Sequence, residues 1–209
     1  MSLSEPATLA TDYLLAALAA GLGIRLARAA PAGAAGRRLW AAAFLVGALA
    51  GLAGGTVHGF AASLPPAVRA LLWKAWLASV VLAGGLILLG MVVSTLRGAW
   101  LRAGLALTAA KLAFYLVVVT RSGLTRDAVQ DAAVTISLVL ALALAAARWD
   151  PRLLGWTLLA VGIAAAGLAV QAARLAPHPR FNHNDTCHVL LAAALLPFYR
   201  AGLRFRQSG

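Results

Sequence analysis

The residues best suited to chemistry in this chain lie together at 182–188, in the order Asn-His-Asn-Asp-Thr-Cys-His. This run brings two imidazoles, a carboxylate and two amides to the start of a segment that is otherwise apolar. Polar and ionisable groups at membrane depth are costly and usually mark a functional site. The run therefore raises the question of which other polar groups meet it.

If residues 183–203 form a helix, their spacing decides which groups can face one point. At about 100° per residue, Asp185 and His188 are about 60° apart, and Asn184 and His188 about 40° apart. His183 and His188 are about 140° apart, so both can serve one centre only if His183 lies in a non-helical first turn. Imidazoles together with a carboxylate are typical of a zinc site with one position open for water.

The same run also has a simpler interpretation as a helix cap. Asn182 followed three residues later by Asp185 resembles a capping box, and Asp185 suits the positive end of the helix dipole. In the same way, His58 taken alone could be a lone histidine that is hydrogen-bonded to a backbone carbonyl. A functional site is favoured over these simpler interpretations only if several such groups lie in one layer.

Seven apolar segments must position these groups. The chain has 209 residues, of which 62% are hydrophobic and 11% charged, and this composition excludes an ordinary soluble domain. Each segment is close to the ~20 residues that span a bilayer; they lie at 7–28, 39–62, 68–95, 99–120, 127–148, 152–175 and 183–203. We therefore predict an all-α fold, a single domain over residues 1–209 that forms a polytopic bundle of seven transmembrane helices surrounded by membrane lipids.

The net charge of +12 indicates membrane topology rather than a nucleic-acid partner, because the basic residues fall singly or in pairs between apolar segments. One side of the bundle collects most of them: Arg25, Arg28, Arg37, Arg38, Arg97, Arg102, Arg148, Arg152, Arg200, Arg204 and Arg206. The other side holds Arg69, Arg121, Arg126, Arg174 and Arg180. The positive-inside rule then places the N-terminus outside and the C-terminus in the cytoplasm, in what we expect to be a bacterial cytoplasmic membrane. The single cysteine, Cys187, excludes an intrachain disulfide and a cysteine-rich metal site.

With this topology, further polar residues fall in one layer near the outer surface. Glu5, Thr8 and Asp12 recur at helical spacing on one face of helix 1. The other members are Thr56 and His58 on helix 2, Lys74 on helix 3, Asp131 on helix 5 and Asn184 on helix 7, while Lys111 lies in the middle of helix 4. An unpaired carboxylate in a low-dielectric layer is costly, so we expect Glu5 or Asp12 to pair with Lys74, Arg174 or a bound cation. The alternative is that the acids simply lie at the membrane interface and that the lysine side chains extend along apolar surface to reach water.

The chain resembles the CREST superfamily of seven-helix membrane proteins in three features. It has seven apolar segments, a glycine-rich helix 2 that ends near His58, and a histidine motif at the start of helix 7. That group includes the alkaline ceramidases and the progestin and adipoQ receptors. The stretch 5–13 is similar to the acidic, threonine-bearing entry to helix 1 of the ceramidases. The resemblance implies that His58 is the helix 2 zinc ligand and His188 the second histidine of an H-x-x-x-H pair. It further implies a zinc-bound water that attacks a lipid amide in a membrane pocket.

The chain departs from that family pattern at three places. Gly54 stands where the ceramidase pattern has a serine, residues 69–74 lack the helix 3 aspartate, and Asn184 replaces the first histidine of the helix 7 pair. The predicted metal shell is then His58, His188 and either His183 or Asp185. Asp12, Asp131 and Asp185 are the candidate general bases, and Lys74 is the candidate cation for a developing oxyanion.

The sequence thus predicts three classes of function. The first is a zinc-dependent intramembrane hydrolase of a lipid amide or ester, with its site near the outer face between helices 2, 3 and 7. The second is a non-catalytic sensor, transporter or assembly factor with a buried His/Asp/Lys network, which the missing helix 3 aspartate favours. The third is a haem protein ligated by His58 and by His183 or His188. If these polar groups share one outer layer, we expect helices 1, 2, 3 and 7 to be mutual neighbours, with the side chains of His58 and His188 pointing at each other.

Overall fold

The computed structural model describes residues 3–178 and 181–205, so Arg180 and Arg206 lie outside the described residues. Most of these described residues belong to seven helices: α1 (Pro6–Arg28), α2 (Ala35–Phe60), α3 (Pro66–Thr95), α4 (Gly98–Ser122), α5 (Thr125–Ala146), α6 (Pro151–Ala172) and α7 (His183–Gly202). The prediction of an all-helical protein is confirmed. Six helices, α1 to α6, are long and apolar enough to cross a membrane.

The helices begin and end at local signals that the sequence shows. Pro6, Pro66 and Pro151 occupy the first positions of α1, α3 and α6, where the missing N–H of proline has no helical partner to lose. Gly123 ends α4 in the left-handed conformation, with φ of 64°, which glycine adopts without steric cost. The predicted boundaries are therefore close to those of the structure.

The largest difference at a helix start concerns α2, which begins at Ala35 rather than at residue 39. The extra turn carries Arg37, whose guanidinium donates hydrogen bonds to the carbonyl oxygens of Ala29 at 2.6 Å and Leu203 at 2.8 Å. It also donates to the carbonyl oxygen of Phe205 at 3.1 Å. A helix continues beyond its apolar stretch when charged side chains in the added turn find partners, and hydropathy does not report this.

A row of glycines allows α1 and α2 to approach closely. Gly51, Gly55 and Gly59 recur every four residues and therefore share one face of α2. A Cβ atom added to Gly55 would lie 2.8 Å from Cδ1 of Tyr13 and 2.9 Å from Cβ of Asp12. Small residues at such spacing let helix backbones pack tightly in lipid. The glycines of α2 are thus packing residues, and they hold the polar face of α1 against α2.

The order of the helices around the bundle differs from the predicted one. Each helix contacts the next along the chain, and α1 also contacts α7. Between α2 and α7 the contact is slight, and no Cα atom of α3 lies within 8 Å of one in α1 or α7. The prediction that helices 1, 2, 3 and 7 are mutual neighbours is therefore wrong in part. Because α1 lies between α2 and α7, a site shared by these helices is centred on α1.

The main apolar core lies at the arginine-rich end and fixes how α2 and α3 are rotated. Trp40 is fully buried, and its indole N–H donates to the carbonyl oxygen of Ile87 at 2.8 Å. A Cβ atom added to Gly90 would lie 2.3 Å from Cδ1 of Trp40, so α3 can pack there only without a side chain. The ring of Phe205 meets Trp40 edge to face, with centroids 4.8 Å apart. This packing holds α2 against α3 at the end of α2 opposite to His58.

Candidate functional site

The polar residues of α1 meet those of α2 and α7 at one end of the bundle. We call this group the imidazole–carboxylate cluster; it consists of Glu5, Thr8, Thr11 and Asp12 from the start of α1, His58 from the end of α2, and Asp185 and His188 from the start of α7. Thr8, Asp12 and Asp185 are buried. The structure therefore brings together five ionisable side chains that are up to 183 positions apart in the sequence.

Asp185 has a structural role that uses both of its carboxylate oxygens. Oδ2 accepts a hydrogen bond from the backbone N–H of Asn182 at 2.7 Å, and the side chain of Asn182 accepts in return from the N–H of Asp185. This is the capping box that the sequence predicts, and it is confirmed. Oδ1 accepts from the hydroxyl of Thr8 at 2.8 Å, which joins α1 to α7. Each oxygen keeps a second lone pair, but a metal or a proton at Asp185 would compete with these bonds.

His188 makes the central contact between α7 and α1. Its Nε2 atom lies 3.4 Å from Oδ1 of Asp12, and its Nδ1 atom lies 3.2 Å from the hydroxyl of Thr11. Thr11 was not predicted as part of the site, although it follows Thr8 by three residues and so shares its helix face. Both ring nitrogens of His188 are therefore directed at α1, and Thr11 fixes the orientation of the ring.

A second imidazole–carboxylate pair lies nearer to the surface. Nδ1 of His58 is 3.4 Å from Oε2 of Glu5, and the side chains are 25% and 41% exposed, respectively. Among the described residues, the two acids of helix 1 thus pair with imidazoles. The prediction that one of them pairs with Lys74 or Arg174 is wrong, and its third option, a bound cation, stays a prediction. Lys74 is exposed and makes no ion pair with any residue that the structure describes, because it lies on the outer side of α3.

The charges in the imidazole–carboxylate cluster do not balance. Three carboxylates meet two imidazoles, and among residues 3–178 and 181–205 no lysine or arginine forms an ion pair with Glu5, Asp12 or Asp185. Asp12 is only 3% exposed, and its Oδ2 atom is buried without a hydrogen-bond partner in the described part of the chain. A buried, unpaired carboxylate is strongly unfavourable. A bound proton or cation would remove this imbalance.

The two imidazole–carboxylate distances also bear on what the cluster can bind. A charge-assisted hydrogen bond between nitrogen and oxygen is about 2.7–2.9 Å long, clearly shorter than the 3.4 Å found in both pairs. Two neighbouring ligands of a tetrahedral zinc, with Zn–N and Zn–O bonds of about 2.0–2.2 Å, are themselves about 3.4 Å apart. Each pair therefore has the spacing of two zinc ligands. Within the described residues, however, no three His, Cys, Asp or Glu side chains form a ready-made metal-binding group.

The other residues predicted for the site lie at its edges. His183 is the first residue of α7, and no hydrogen bond or ion pair joins its side chain to the described residues. Asn184 accepts a hydrogen bond from the side chain of Gln171 at 2.7 Å and so ties α7 to α6. The hydroxyl of Thr56 lies 2.9 Å from that of Tyr13, on the exposed side of the α1–α2 contact. These residues lie around the imidazole–carboxylate cluster and are not part of it.

Asp131 and Lys111, both predicted as buried polar groups, form a separate network between α4 and α5. Nζ of Lys111 is 2.5 Å from Oδ1 of Asp131 and also donates to the hydroxyl of Thr135. Gly84 of α3 covers the network, since a Cβ atom added there would lie 3.5 Å from Oδ2 of Asp131. The predicted role of Asp131 as a general base for the histidine site is thus not supported by its position.

Residues 7–207 match DUF6962, a family of unknown function. The match spans α1 to α7 and includes every member of the imidazole–carboxylate cluster except Glu5, which precedes it. No curated protein and no solved structure matches the chain. The resemblance to the CREST superfamily therefore stays a prediction.

Proposed function

We propose that this chain, which belongs to the DUF6962 family, is a zinc-dependent membrane hydrolase that cleaves an amide or ester bond of a lipid. The observation that carries the proposal is the environment of Asp12. This carboxylate is buried beside the imidazole of His188, and its second oxygen has no hydrogen-bond partner among the described residues. Such an atom needs a cation, a proton or another hydrogen-bond donor, and a neutral imidazole next to a carboxylate suits zinc.

His188 and Asp12 would supply two zinc ligands, and His58 a third. The spacing of Nε2 and Oδ1 already fits two ligands of one metal. His58 and Glu5 are partly exposed, so their side chains can rotate to complete the shell. Asp12 thereby replaces the third ligand of the shell predicted from the sequence, because Asp185 is engaged in the helix cap and His183 lies at the edge of the cluster.

The position of Gly54 supports the assignment to Asp12. In the resembled family a serine occupies this place, four residues before the helix 2 histidine. A Cβ atom added to Gly54 would lie 3.2 Å from Cδ1 of Trp76 and 3.6 Å from Oδ2 of Asp12, so a side chain at this position would meet the indole first and the carboxylate next. The indole of Trp76 and the carboxylate of Asp12 thus occupy the region that a serine would reach, and this offers a physical reason for the glycine.

A bound zinc would supply Lewis-acid chemistry that polarises a carbonyl group and lowers the pKa of water. The chain itself would admit the lipid and orient it. The hydroxyls of Tyr13 and Thr56 lie beside the cluster and can hydrogen-bond the polar part of a lipid. Next to them, Leu14 and Leu52 are 63% and 46% exposed, so acyl chains can approach from the bilayer. Glu5, at the open side, can accept a proton.

In this proposal α7 is the seventh membrane span, the N-terminus lies outside, and the C-terminus lies in the cytoplasm of a bacterial cell. The 20 residues of α7 reach about 30 Å at about 1.5 Å per residue, the thickness of the hydrocarbon core. Polar side chains at its start would then lie at the outer boundary of the bilayer. The excess of arginines at the opposite end supports this orientation.

A second candidate is the non-catalytic membrane protein, in which the cluster is a proton-sharing network. The hydrogen bonds and close polar contacts that the cluster already makes favour this second candidate. Both oxygens of Asp185 accept hydrogen bonds, and both ring nitrogens of His188 face polar groups of α1. One proton shared between Asp12 and His188 would then satisfy the pair without a metal. The two candidates differ in whether zinc is required.

Hydrolysis of defined lipids tests the first candidate. We expect the purified full chain, reconstituted in vesicles with an N-acyl lipid or a fatty-acid ester, to release free fatty acid. A chelator should abolish the release, and added zinc should restore it. Asp12→Asn removes the charge at nearly constant volume and should lower the rate by about 100-fold or more, since even the outer partners of zinc ligands contribute about 10–100-fold.

Asp127→Asn is the matched control, because Asp127 is a carboxylate at the start of α5 that pairs with Arg126 and is outside the cluster. It should hydrolyse the lipid at the wild-type rate. Wild-type hydrolysis by the Asp12→Asn protein, or release that is insensitive to the chelator, would contradict the zinc assignment. If neither lipid class is hydrolysed by the zinc-loaded protein, the hydrolase proposal fails and the non-catalytic candidate takes its place.

A further inference from the structure

A second polar recess lies at the opposite end of the bundle from the imidazole–carboxylate cluster. It is a cavity of about 490 Å³ between the ends of α3, α5 and α7 and the starts of α4 and α6. We call it the arginine recess, because Arg97, Arg148 and Arg204 line it together with one carboxylate, Asp150, and with Trp100. Its volume lies within the range of about 300–1,000 Å³ that is usual for ligand sites.

The carboxylate of Asp150 is already engaged and serves to hold one arginine in place. Oδ1 caps α6 by accepting from the backbone N–H of Leu153 at 3.3 Å. Oδ2 accepts from Nε of Arg204 at 3.0 Å. Because this bond uses only Nε, the two terminal amino groups of Arg204 have no partner among the described residues. Asp150 is thus a positioning residue that directs the terminal donors of Arg204 into the recess.

The other two arginines have no carboxylate partner in the part of the chain that the structure describes. Arg148 packs its guanidinium over the ring of Trp149, 4.4 Å from the centroid. Arg97 donates to the carbonyl oxygens of its own segment, at 2.8 Å for Leu96. Both are exposed and keep further N–H groups available. Three guanidiniums against one carboxylate leave the recess strongly positive.

The start of α4 adds to this positive potential. Arg97 is the N-cap residue of α4, and no side chain caps the first turn. The free N–H groups and the dipole of a helix N-terminus favour a bound anion. Trp100, in the same turn, is 77% exposed, as is typical of tryptophans at the boundary between lipid and water. The recess therefore opens where head groups of lipids lie.

We propose that the arginine recess binds a phosphate group, held by Arg97, Arg148 and Arg204. A planar guanidinium donates two parallel hydrogen bonds to phosphate oxygens, and basic pockets between transmembrane helices bind the head groups of anionic lipids. The phosphate can come from a phospholipid or from a soluble phosphate compound. This site is independent of the zinc site, because the two lie at opposite ends of the helices.

Native mass spectrometry of the full chain in detergent tests the proposal with two probes, phosphatidylglycerol and inorganic phosphate. Phosphatidylcholine with the same acyl chains is the reference, since its head group carries no net charge. We expect phosphatidylglycerol to bind at least about tenfold more tightly than phosphatidylcholine. The double variant Arg97→Gln/Arg148→Gln should lose that preference, because each charge-assisted hydrogen bond contributes close to a factor of ten or more.

Arg28→Gln is the matched control, since Arg28 is an exposed arginine at the same end of the bundle but outside the recess. It should bind phosphatidylglycerol as the wild-type protein does. Displacement of the lipid by millimolar inorganic phosphate would assign the recess to a soluble phosphate, and its persistence would assign it to a phospholipid. Equal binding of both lipids by the wild-type protein, together with no binding of inorganic phosphate, would overturn the proposal. So would an unchanged preference in the double variant.

Discussion

Replacing Asp131 with alanine will lower the free energy of unfolding by about 3–5 kcal/mol, the usual cost of leaving one partner of a buried ion pair without the other. The side chain of Asp131 is 1% exposed and that of Lys111 10% exposed, so water cannot replace the lost carboxylate. Among the described residues, the hydroxyl of Thr135 and the ring of Tyr115 would remain near the ammonium group, and neither carries a negative charge. Thermal unfolding in detergent, followed by circular dichroism, measures the change.

A double variant separates the loss of the pair from the loss of packing. Asp131→Ala/Lys111→Met removes both charges and should recover much of the stability, because a buried ion pair can be replaced by apolar side chains at little cost. Asp127→Ala, one turn earlier on α5, is the control for substitution of an acid at this end of the helix. It should cost about 1 kcal/mol, because it removes the hydrogen bond from Ser122. A double variant no more stable than Asp131→Ala would show that the pair itself is not the source of the loss.

If the proposed zinc site exists, replacing His188 with alanine will remove most of the metal. Its Nε2 atom is the nitrogen that faces Asp12, and alanine offers no ligand in its place. We expect zinc affinity to fall by more than about 100-fold, because loss of an outer partner alone costs about 10–100-fold. The zinc content of the variant is measured by elemental analysis after dialysis against zinc-free buffer.

Two further histidine variants make the assignment specific. His178→Ala changes a histidine in the loop before α7, and this protein should keep its zinc. His183→Ala tests the ligand proposed from the sequence alone, and it too should keep most of its zinc if Asp12 completes the shell. If the His183→Ala protein loses its zinc and the Asp12→Asn protein keeps it, the third ligand is His183 and not Asp12.

The positions of the helices could be predicted from the sequence because each reflects a local property. Segments of about 20 apolar residues form helices in lipid, where every backbone polar group must be paired within the chain. The capping box of Asn182 and Asp185 could be predicted for the same reason, since four consecutive residues contain it. Local patterns of this kind need no knowledge of the neighbouring helices.

The composition of the cluster could be predicted only in part, because it depends on how the helices are rotated and ordered. Hydropathy does not indicate that α1 lies between α2 and α7, so Lys74 on α3 was included and Thr11 on α1 was missed. The spacing of Gly51, Gly55 and Gly59 was the available signal for a close α1–α2 contact. With that contact assigned, Asp12 would have been the expected neighbour of α2.

The zinc content of the purified wild-type protein tests the account most directly. The full chain, extracted in mild detergent without a chelator, should carry about one zinc per molecule by elemental analysis. If the metal is lost on purification, adding zinc should restore it and raise the unfolding temperature. A protein that is folded, free of zinc, and unchanged in unfolding temperature by added zinc would contradict the account and leave Asp12, His188 and Asp185 as a hydrogen-bonded network.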